Sequence, residues 1–152
     1  MSVRNFSWVI PQKISGCAIP DFEPGQSDAE WLAAQGVGVL VSLTMPYGQP
    51  EEECAKHGIR WIHYPIPDFD IPYDKESFGE LMADILNSME NDVGVCVHCY
   101  AGIGRTGLVL ACALGKFLKI PAKLAMETLR KSRTAIETPV QEKFIKEFVD
   151  DE

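Results

Sequence analysis

Residues 98–106 read His-Cys-Tyr-Ala-Gly-Ile-Gly-Arg-Thr, and this stretch decides the fold. A short apolar run, residues 93–97, precedes the stretch, and an apolar helical pattern, residues 108–114, follows it. The succession of strand, glycine-containing turn and helix start predicts a loop that surrounds an oxyanion. Backbone N–H groups of such a turn point inward, and the first turn of the helix adds unpaired donors and the positive end of its dipole.

Two side chains of this loop carry chemistry. Arg105 has a planar guanidinium that suits the oxygens of a phosphate group. Cys99 belongs to the same positive field, and cysteines at helix N-termini beside cations have pKa values of roughly 3.5 to 7.5. We therefore expect Cys99 to be an ionised nucleophile directed at phosphate. The expected phosphate-binding residues are Tyr100, Ala101, Gly102, Ile103, Gly104 and Arg105.

Composition limits the partners of the chain. Its 152 residues carry a net charge of -8 with no basic run, so we expect neither a nucleic-acid nor a membrane partner. Residues 1–20 lack the sustained apolar core of a signal peptide, and the apolar run after Gly107 is broken at Lys116. Five cysteines without a framework spacing favour a reducing compartment. We expect one catalytic domain, residues 1–152, acting as a monomer in the cytoplasm or nucleus.

Hydrophobic periodicity predicts strands alternating with helices. The expected strands are residues 6–10, 14–18, 37–43, 59–64 and 93–97. The expected helices are residues 27–36, opened by a capping box of Ser27 and Glu30, then 50–58, 74–91, 106–118, 121–132 and 138–149. Three prolines make residues 65–73 a loop. This pattern predicts an α/β fold with a mostly parallel central sheet and helices on both faces.

The signature Cys99-x5-Arg105, with His98 before it and Thr106-Gly107 after it, resembles that of the cysteine-dependent protein tyrosine phosphatase superfamily. Four further segments, residues 5–9, 41–44, 66–69 and 136–143, resemble its small atypical dual-specificity phosphatases in the same order. The resemblance implies a phosphatase-like fold and a phosphocysteine enzyme without metal or other cofactor. It also implies a phosphorylated protein or peptide that carries phosphotyrosine as substrate, and it leaves phosphoserine and phosphothreonine open as further substrates.

The resemblance also nominates a general acid. Asp68 lies 31 residues before Cys99, in a proline-bracketed segment that matches the mobile acid loop of the family. An exposed turn aspartate is the structural alternative, because Pro-Asp is a common turn pair. Asp70 and Asp74 are the other candidates, and Asp74 fits better as a helix N-cap.

The resemblance gives the flanking residues of the loop supporting roles. The Thr106 hydroxyl would bind the cysteine thiolate and ease its departure from the intermediate. His98 would bind loop backbone rather than form a Cys–His dyad, because adjacent residues leaving a strand point to opposite faces.

The segment after residue 136 has two interpretations. Thr138 and Gln141 form a good capping box with proline at the first helical position, and this structural role is sufficient by itself. The resemblance adds that the segment borders the pocket, where Glu137 or Gln141 would position the hydrolytic water. The residues leave both interpretations open.

Two departures from family patterns bear on the substrate. Arg130 and Arg133 match an Arg-x-x-Arg pair, but Thr134-Ala135 replaces the Pro-Gly expected next, which leaves the shape of this rim open. Phosphoinositide-directed relatives carry lysines in the loop at the positions of Tyr100 and Ile103, which argues against lipid substrates.

The remaining cysteines and histidines suggest no second chemistry. We assign Cys17, Cys54, Cys96 and Cys112 to packing. Cys96 and Cys99 form a C-x-x-C, but three residues of strand separate Cα atoms by about 10 Å, too far for a disulfide. The three histidines are scattered, so a zinc site is not expected. The functional alternatives are hydrolysis of a non-protein phosphate ester, a phosphate-binding scaffold without turnover, and sulfur transfer or arsenate reduction on a similar loop.

Overall fold

The computed structural model describes residues 2–151, in which strands and helices alternate along most of the chain. The strands are β1 (Ser7–Ile10), β2 (Ile14–Cys17), β3 (Asp21–Phe22), β4 (Val37–Ser42), β5 (Tyr47–Gly48), β6 (Arg60–His63) and β7 (Gly94–His98). The helices are α1 (Ala29–Ala34), α2 (Pro50–Lys56), α3 (Lys75–Glu90), α4 (Gly104–Leu118), α5 (Ala122–Ser132) and α6 (Pro139–Asp150).

The main sheet has the strand order β1-β2-β7-β4-β6, with only β1 antiparallel to its neighbour. Strand β7 is central and completely buried, as its continuous apolar sequence predicts. Ligands of such parallel sheets bind beyond the carboxyl ends of the strands. The loop that follows His98 lies at that end, between β7 and α4.

Helices cover both faces of the sheet. Alternate residues of a strand point to opposite faces and pack in two separate hydrophobic clusters. Val39 and Val41 of β4 pack with α3, α4, α5 and α6, whereas Leu40 packs with α1 and α2. The predicted α/β class with a mostly parallel sheet is therefore confirmed. Within residues 2–151, every helix falls short of the length and apolar character needed to cross a membrane.

Helix α4 is the core helix, and its first twelve residues, 104–115, are all buried. It contacts β2, β7 and the three helices α3, α5 and α6. It begins at Gly104, two residues earlier than the sequence predicted, so Arg105 and Thr106 belong to its first turn. Packing on several sides therefore fixes the N-terminus of α4, and with it the loop.

Two local expectations need correction. The capping box of Ser27 and Glu30 is wrong: α1 begins at Ala29, and no side chain caps it. The Asp28 carboxylate instead accepts a hydrogen bond from the Asp21 N–H at 2.7 Å, and Ser27 Oγ accepts one from the Ala29 N–H at 3.2 Å. The sequence also gave no sign of the small parallel pair β3–β5, whose strands are only two residues long.

Candidate active site

Cys99 is the first residue beyond β7 and is only 3% exposed. Its Sγ accepts a hydrogen bond from Thr106 Oγ1 at 3.1 Å, and Thr106 is fully buried. This is the contact that the resemblance implied for the threonine. A thiolate at Cys99 would therefore have a fixed donor from the first turn of α4.

The carbonyl groups of the loop are bound from outside. The carbonyl oxygens of Cys99 and Tyr100 accept hydrogen bonds from His98 Nδ1 and Ile19 N, both at 2.9 Å. Those of Ala101 and Gly102 accept from Asn5 Nδ2 at 3.1 Å and Arg133 Nη2 at 2.9 Å. That of Ile103 accepts from both Gly107 N (2.9 Å) and Ile136 N (3.0 Å). The N–H groups of residues 100–103 donate to no backbone carbonyl within residues 2–151. Since carbonyl and N–H point in opposite directions across a trans peptide, the outward carbonyls leave these donors free for an anion.

Both loop glycines make close contacts, and the contact at Gly102 is with backbone. Gly102 has φ of 80°, and a Cβ there would lie 2.6 Å from the carbonyl oxygen of Cys17. A Cβ on Gly104 would collide with the Glu137 carboxylate, so that carboxylate lies directly against the start of α4. The loop conformation thus excludes larger residues at Gly102, whereas a side chain at Gly104 would displace the Glu137 carboxylate.

Arg105 connects this loop with the acid loop, residues 65–73. Its guanidinium donates from Nη1 to the Ile66 carbonyl at 2.9 Å and forms an ion pair from Nη2 with Asp68 Oδ1 at 3.3 Å. No carboxylate partner for Arg105 was evident in the sequence; the fold supplies Asp68. Arg105 Nε is buried and has no partner among the described residues. That open donor is available to a phosphate oxygen.

The three candidate aspartates have different surroundings. Asp68 is 58% exposed and also accepts a hydrogen bond from the Phe69 N–H at 3.0 Å. The Asp70 carboxylate accepts one from the Ile71 N–H at 2.8 Å. Asp74 caps α3 by accepting from the N–H groups of the second and third helical residues, as predicted. Of the three, Asp68 is the one that binds Arg105.

The predicted capping box at α6 is confirmed and reaches the acid loop. Thr138 Oγ1 accepts from the Gln141 N–H at 3.2 Å. Gln141 Oε1 accepts from the N–H groups of Thr138 (3.2 Å) and Glu137 (2.9 Å). Gln141 Nε2 donates to the Asp70 carbonyl at 3.2 Å, so both ends of this buried amide are engaged. Gln141 therefore ties the acid loop to α6.

His98 lies behind the loop, and its hydrogen bonds fix its tautomer. Nδ1 must carry the proton, because it donates to the Cys99 carbonyl at 2.9 Å. Nε2 therefore accepts from Ser42 Oγ at 2.6 Å, and Ser42 in turn accepts from Trp61 Nε1 at 2.8 Å. Burial lowers the pKa of His98 to about 4, so the ring is neutral. Its ring atoms thus bind loop backbone and Ser42.

The other cysteines are buried free thiols. Cys17 and Cys96 lie with their sulfurs 3.5 Å apart, and this contact together with burial raises the pKa of Cys17. Burial raises the pKa of Cys54 to about 12 and also raises that of Cys112. Residues 2–151 contain no group of three or more His, Cys, Asp or Glu side chains placed to bind a metal ion.

Sequence reasoning missed two residues that bind the loop, Asn5 and Arg133. Both donate to the Gly102 carbonyl, from Asn5 Nδ2 at 3.3 Å and from Arg133 Nη2 at 2.9 Å. Asn5 belongs to the segment 5–9 and Arg133 to the Arg-x-x-Arg pair, and both patterns indicated only resemblance to the family and no contact with the loop. Tyr100 and Ala101, in contrast, are exposed at the rim of the loop.

Comparisons with known proteins agree with this geometry. A family model described as "Polymorphic toxin system, DSP-PTPase phosphatase" matches residues 17–117. Cyclin-dependent kinase inhibitor 3 of Rattus norvegicus is 34% identical over 149 residues, covering 90% of this chain and 69% of the relative. Its Homo sapiens counterpart is 37% identical over 152 residues with the same coverage.

Two solved structures have the same fold along nearly the whole chain. The crystal structure of Tk-PTP in the active form has a TM-score of 0.82 at 25% identity and covers 97% of each chain. Kinase associated phosphatase, crystallised with its catalytic-site cysteine replaced by serine, has a TM-score of 0.82 at 26% identity. That match covers 99% of this chain and 96% of the other. The chain therefore belongs to the dual-specificity phosphatases of the cysteine-dependent protein tyrosine phosphatase superfamily, which are phosphoric monoester hydrolases.

Proposed function

We propose that this protein phosphatase works in two steps at Cys99. In the first step the Cys99 sulfur attacks phosphorus, the bond from phosphorus to the leaving oxygen breaks, and Asp68 gives that oxygen a proton. In the second step water attacks the phosphocysteine, Asp68 takes a proton from the water, and Cys99 leaves as thiolate. The net reaction consumes one water and yields the alcohol or phenol and inorganic phosphate.

The surroundings of Arg105 are the observation that supports this proposal most directly. Its Nη1 is bound to the acid loop at Ile66, its Nη2 touches Asp68, and its Nε has no partner among the described residues. A phosphate that takes Nε and Nη2 in the usual two-pronged manner competes with Asp68 for Nη2. The Asp68 carboxyl is then released next to the bound phosphate, where a leaving oxygen needs a proton.

The loop supplies the stabilisation of charge in both steps. Backbone N–H groups of residues 100–104 bind the equatorial oxygens, and Arg105 neutralises the charge that develops on them. Thr106 donates to the sulfur at 3.1 Å, which stabilises the thiolate as it departs in the second step.

For the hydrolytic water, we propose Glu137 rather than Gln141 as the positioning residue. The Gln141 amide is fully buried, its Oε1 accepts the two N–H groups of the α6 cap, and its Nε2 is directed at the Asp70 carbonyl rather than at the phosphate-binding loop. The Glu137 carboxylate is exposed and lies against Gly104, at the end of the phosphate-binding loop.

A groove beside the acid loop supports a peptide as substrate. It has a volume of about 650 Å³, and its mainly apolar lining includes Met45, Ile66, Pro67 and Tyr73. The groove is continuous with the site through Ile66, whose carbonyl binds Arg105. We propose that it takes an apolar side chain next to the phosphorylated residue, which a small phosphate ester does not offer.

Tyr73 tests this substrate assignment, because it lines the groove, is 96% exposed and lies outside the catalytic groups. Tyr73→Ala should raise KM for phosphotyrosine peptides with apolar flanking residues and leave hydrolysis of free phosphotyrosine unchanged. Equal effects on both substrates would refute the peptide role of the groove.

The central experiment on the mechanism uses Cys99→Ser. We expect this variant to lose phosphopeptide hydrolysis in the presence of a chelator and to keep tungstate binding, since serine preserves the loop but does not ionise there. Substantial hydrolysis by Cys99→Ser would refute the phosphocysteine route. Acid quenching of the wild-type enzyme during turnover should trap phosphate on the peptide that contains Cys99.

The setting is proposed from the same residues. The free thiols of all five cysteines are typical of a reducing compartment, so we propose the cytoplasm or the nucleus. We also propose that residues 1–152 are one catalytic domain that acts as a monomer. Size-exclusion chromatography with light scattering at micromolar concentration tests the latter.

A further inference from the structure

We propose that Arg133 is a positioning residue of the phosphate-binding loop, whose guanidinium fixes the Gly102 peptide from outside and places a second positive charge near Cys99. The inference rests on the proposed function, since it assigns a role within the same site. Arg133 directly follows α5 and is therefore far from the loop in sequence.

The burial of Arg133 is the first observation. The side chain is only 7% exposed, yet all of its bonds go to uncharged oxygens. Nη1 donates to Ser7 Oγ at 2.9 Å and to the Gly16 carbonyl at 3.0 Å. Nη2 donates to the carbonyls of Asn5 at 3.0 Å and Gly102 at 2.9 Å. Within residues 2–151 no carboxylate pairs with it, and its Nε is buried without a partner.

A buried cation without a counter-ion is costly, and burial accordingly lowers the pKa of Arg133. An uncharged donor could bind carbonyl groups at less cost. A nearby anion that forms during the reaction would offset the cost of burying this charge. The anions of the proposed reaction are the Cys99 thiolate and the phosphate bound in the loop.

The contact with Gly102 is the second observation. The carbonyl of Gly102 and the N–H of Ile103 belong to one trans peptide, so binding the oxygen outward directs the N–H inward. A cation on the oxygen also polarises the peptide and strengthens its N–H as a donor. Arg133 thereby acts on phosphate through a loop peptide, without touching phosphate itself.

The chain leaves space for this arrangement. Gly16 of β2 has no side chain, and a Cβ there would lie 3.0 Å from Arg133 Nη1 and 2.9 Å from Thr106 Cγ2. Arg133 and Thr106 thus approach the same small backbone position. Thr106 is the residue that donates to Cys99, so the guanidinium shares its contact with Gly16 with a residue that directly binds the nucleophile.

The other charged or titratable groups around Cys99 do not supply this charge. On β2 and β7, the thiols of Cys17 and Cys96 pair with each other, and His98 is neutral. The acid loop contributes Asp68, which binds Arg105, and the segment before α6 contributes Glu137, whose carboxylate lies against Gly104. Arg105 and Arg133 are therefore the two cations near the nucleophile.

The test compares Arg133→Met and Arg133→Lys with Arg130→Met. Arg130 is the control, because it lies one helical turn earlier and also binds backbone carbonyls, those of Ala135 (3.0 Å) and Ile136 (3.4 Å), but is 40% exposed and paired with Glu142. The readouts are thermal unfolding, tungstate affinity, kcat and KM, and the rate of Cys99 alkylation by iodoacetamide against pH. Alkylation does not depend on turnover, so it remains informative even if the proposed hydrolytic mechanism fails.

For Arg133→Met we expect the alkylation midpoint to move upward by about one pH unit, as loss of a nearby unit charge predicts. We also expect weaker tungstate binding and a loss in kcat of at least about tenfold, below the roughly 10²–10³ of a fully removed oxyanion donor because the Ile103 N–H itself remains. Arg133→Lys should restore the alkylation midpoint but not kcat, because an ammonium replaces the charge but not the planar fork.

Three results would overturn the inference. A folded Arg133→Met enzyme with the wild-type alkylation midpoint and kcat would make Arg133 structural only. Equal losses in Arg130→Met would show a general effect of the α5 terminus. If Arg133→Met does not fold, Arg133→Lys decides: full kcat and full tungstate affinity in that variant would exclude a role for the guanidinium fork.

Discussion

Replacing Asp68 by asparagine separates two contributions of one side chain. The ion pair with Arg105 spans 3.3 Å, but Asp68 is 58% exposed, so the pair is worth about 0–1 kcal/mol, or at most about fivefold. General acid catalysis is worth about 10²–10⁴ in rate, or about 3–5 kcal/mol. We therefore expect kcat for phosphotyrosine to fall by about 10²–10⁴. KM should also fall slightly, because Arg105 Nη2 loses its competitor for phosphate.

The assay is kcat across aryl phosphates whose leaving groups range from acidic phenols to tyrosine. A phenolate from tyrosine needs a proton to leave, whereas a strongly acidic phenol does not. The loss in kcat of Asp68→Asn relative to the wild type should therefore be largest for phosphotyrosine and nearly absent for dinitrophenyl phosphate. Asp70→Asn is the control, because Asp70 lies in the same loop but binds the Ile71 N–H. A uniform loss in kcat of fivefold or less across the series would show that Asp68 contributes only its ion pair with Arg105. If instead Asp70→Asn shows the dependence on leaving group, the acid is Asp70.

Three further predictions concern oxidation, pH and the loop glycine. Low doses of hydrogen peroxide should oxidise Cys99 first and reversibly, since burial keeps Cys54 a protonated thiol with a pKa of about 12. Peptide mass spectrometry measures the order, and modification of Cys54 before Cys99 would contradict this expectation. Burial lowers the pKa of His98 to about 4. Between pH 6.5 and 4 the unfolded chain therefore gains a proton that the folded chain does not. The free energy of unfolding should for this reason be about 2 kcal/mol lower at pH 5 than well above pH 6.5. Urea unfolding should show that His98→Gln has lost this part of the pH dependence, and an unchanged slope would argue against it. Gly102→Ala should abolish activity, because its Cβ meets the Cys17 backbone. Gly58→Ala has a similar positive φ but open space, so it should cost about 1–2 kcal/mol of stability and no activity. Equal activities of the two variants would refute the clash.

Most of the fold was predictable because its signals are local. The apolar run that becomes β7 and the helical spacing of α3 depend only on neighbouring residues, and both elements lie within two residues of the predicted bounds. The capping box of Ser27 and Glu30 was mispredicted because α1 begins at Ala29, which puts Asp28 rather than Ser27 at the cap position, and the Asp28 carboxylate is bound by the Asp21 N–H from outside the helix. Strands β3 and β5 are too short to produce a period.

The site divides in the same way. Cys99, Arg105 and Thr106 belong to one continuous loop and the helix turn after it, so the sequence indicated their arrangement. The ion pair of Asp68 with Arg105 depends on how the acid loop folds over α4, which no local pattern encodes. Arg133 donates to a carbonyl 31 residues earlier in the chain, and its burial is a property of the complete core.

The outer contacts of the phosphate-binding loop have a consequence for how the protein is made. Asn5 lies 97 residues before Gly102 in the sequence, and Arg133 lies 31 residues after it. A nascent chain that already contains Cys99 and Arg105 still lacks the guanidinium that binds Gly102. Chains are synthesised from the N-terminus and domains fold as units, so the Gly102 carbonyl acquires its second donor only after residue 133 has been synthesised and the domain has folded. We therefore expect a chain that has not yet folded around Arg133 to hold no competent phosphate-binding loop, so that phosphatase activity reports that both outer contacts of the loop have formed.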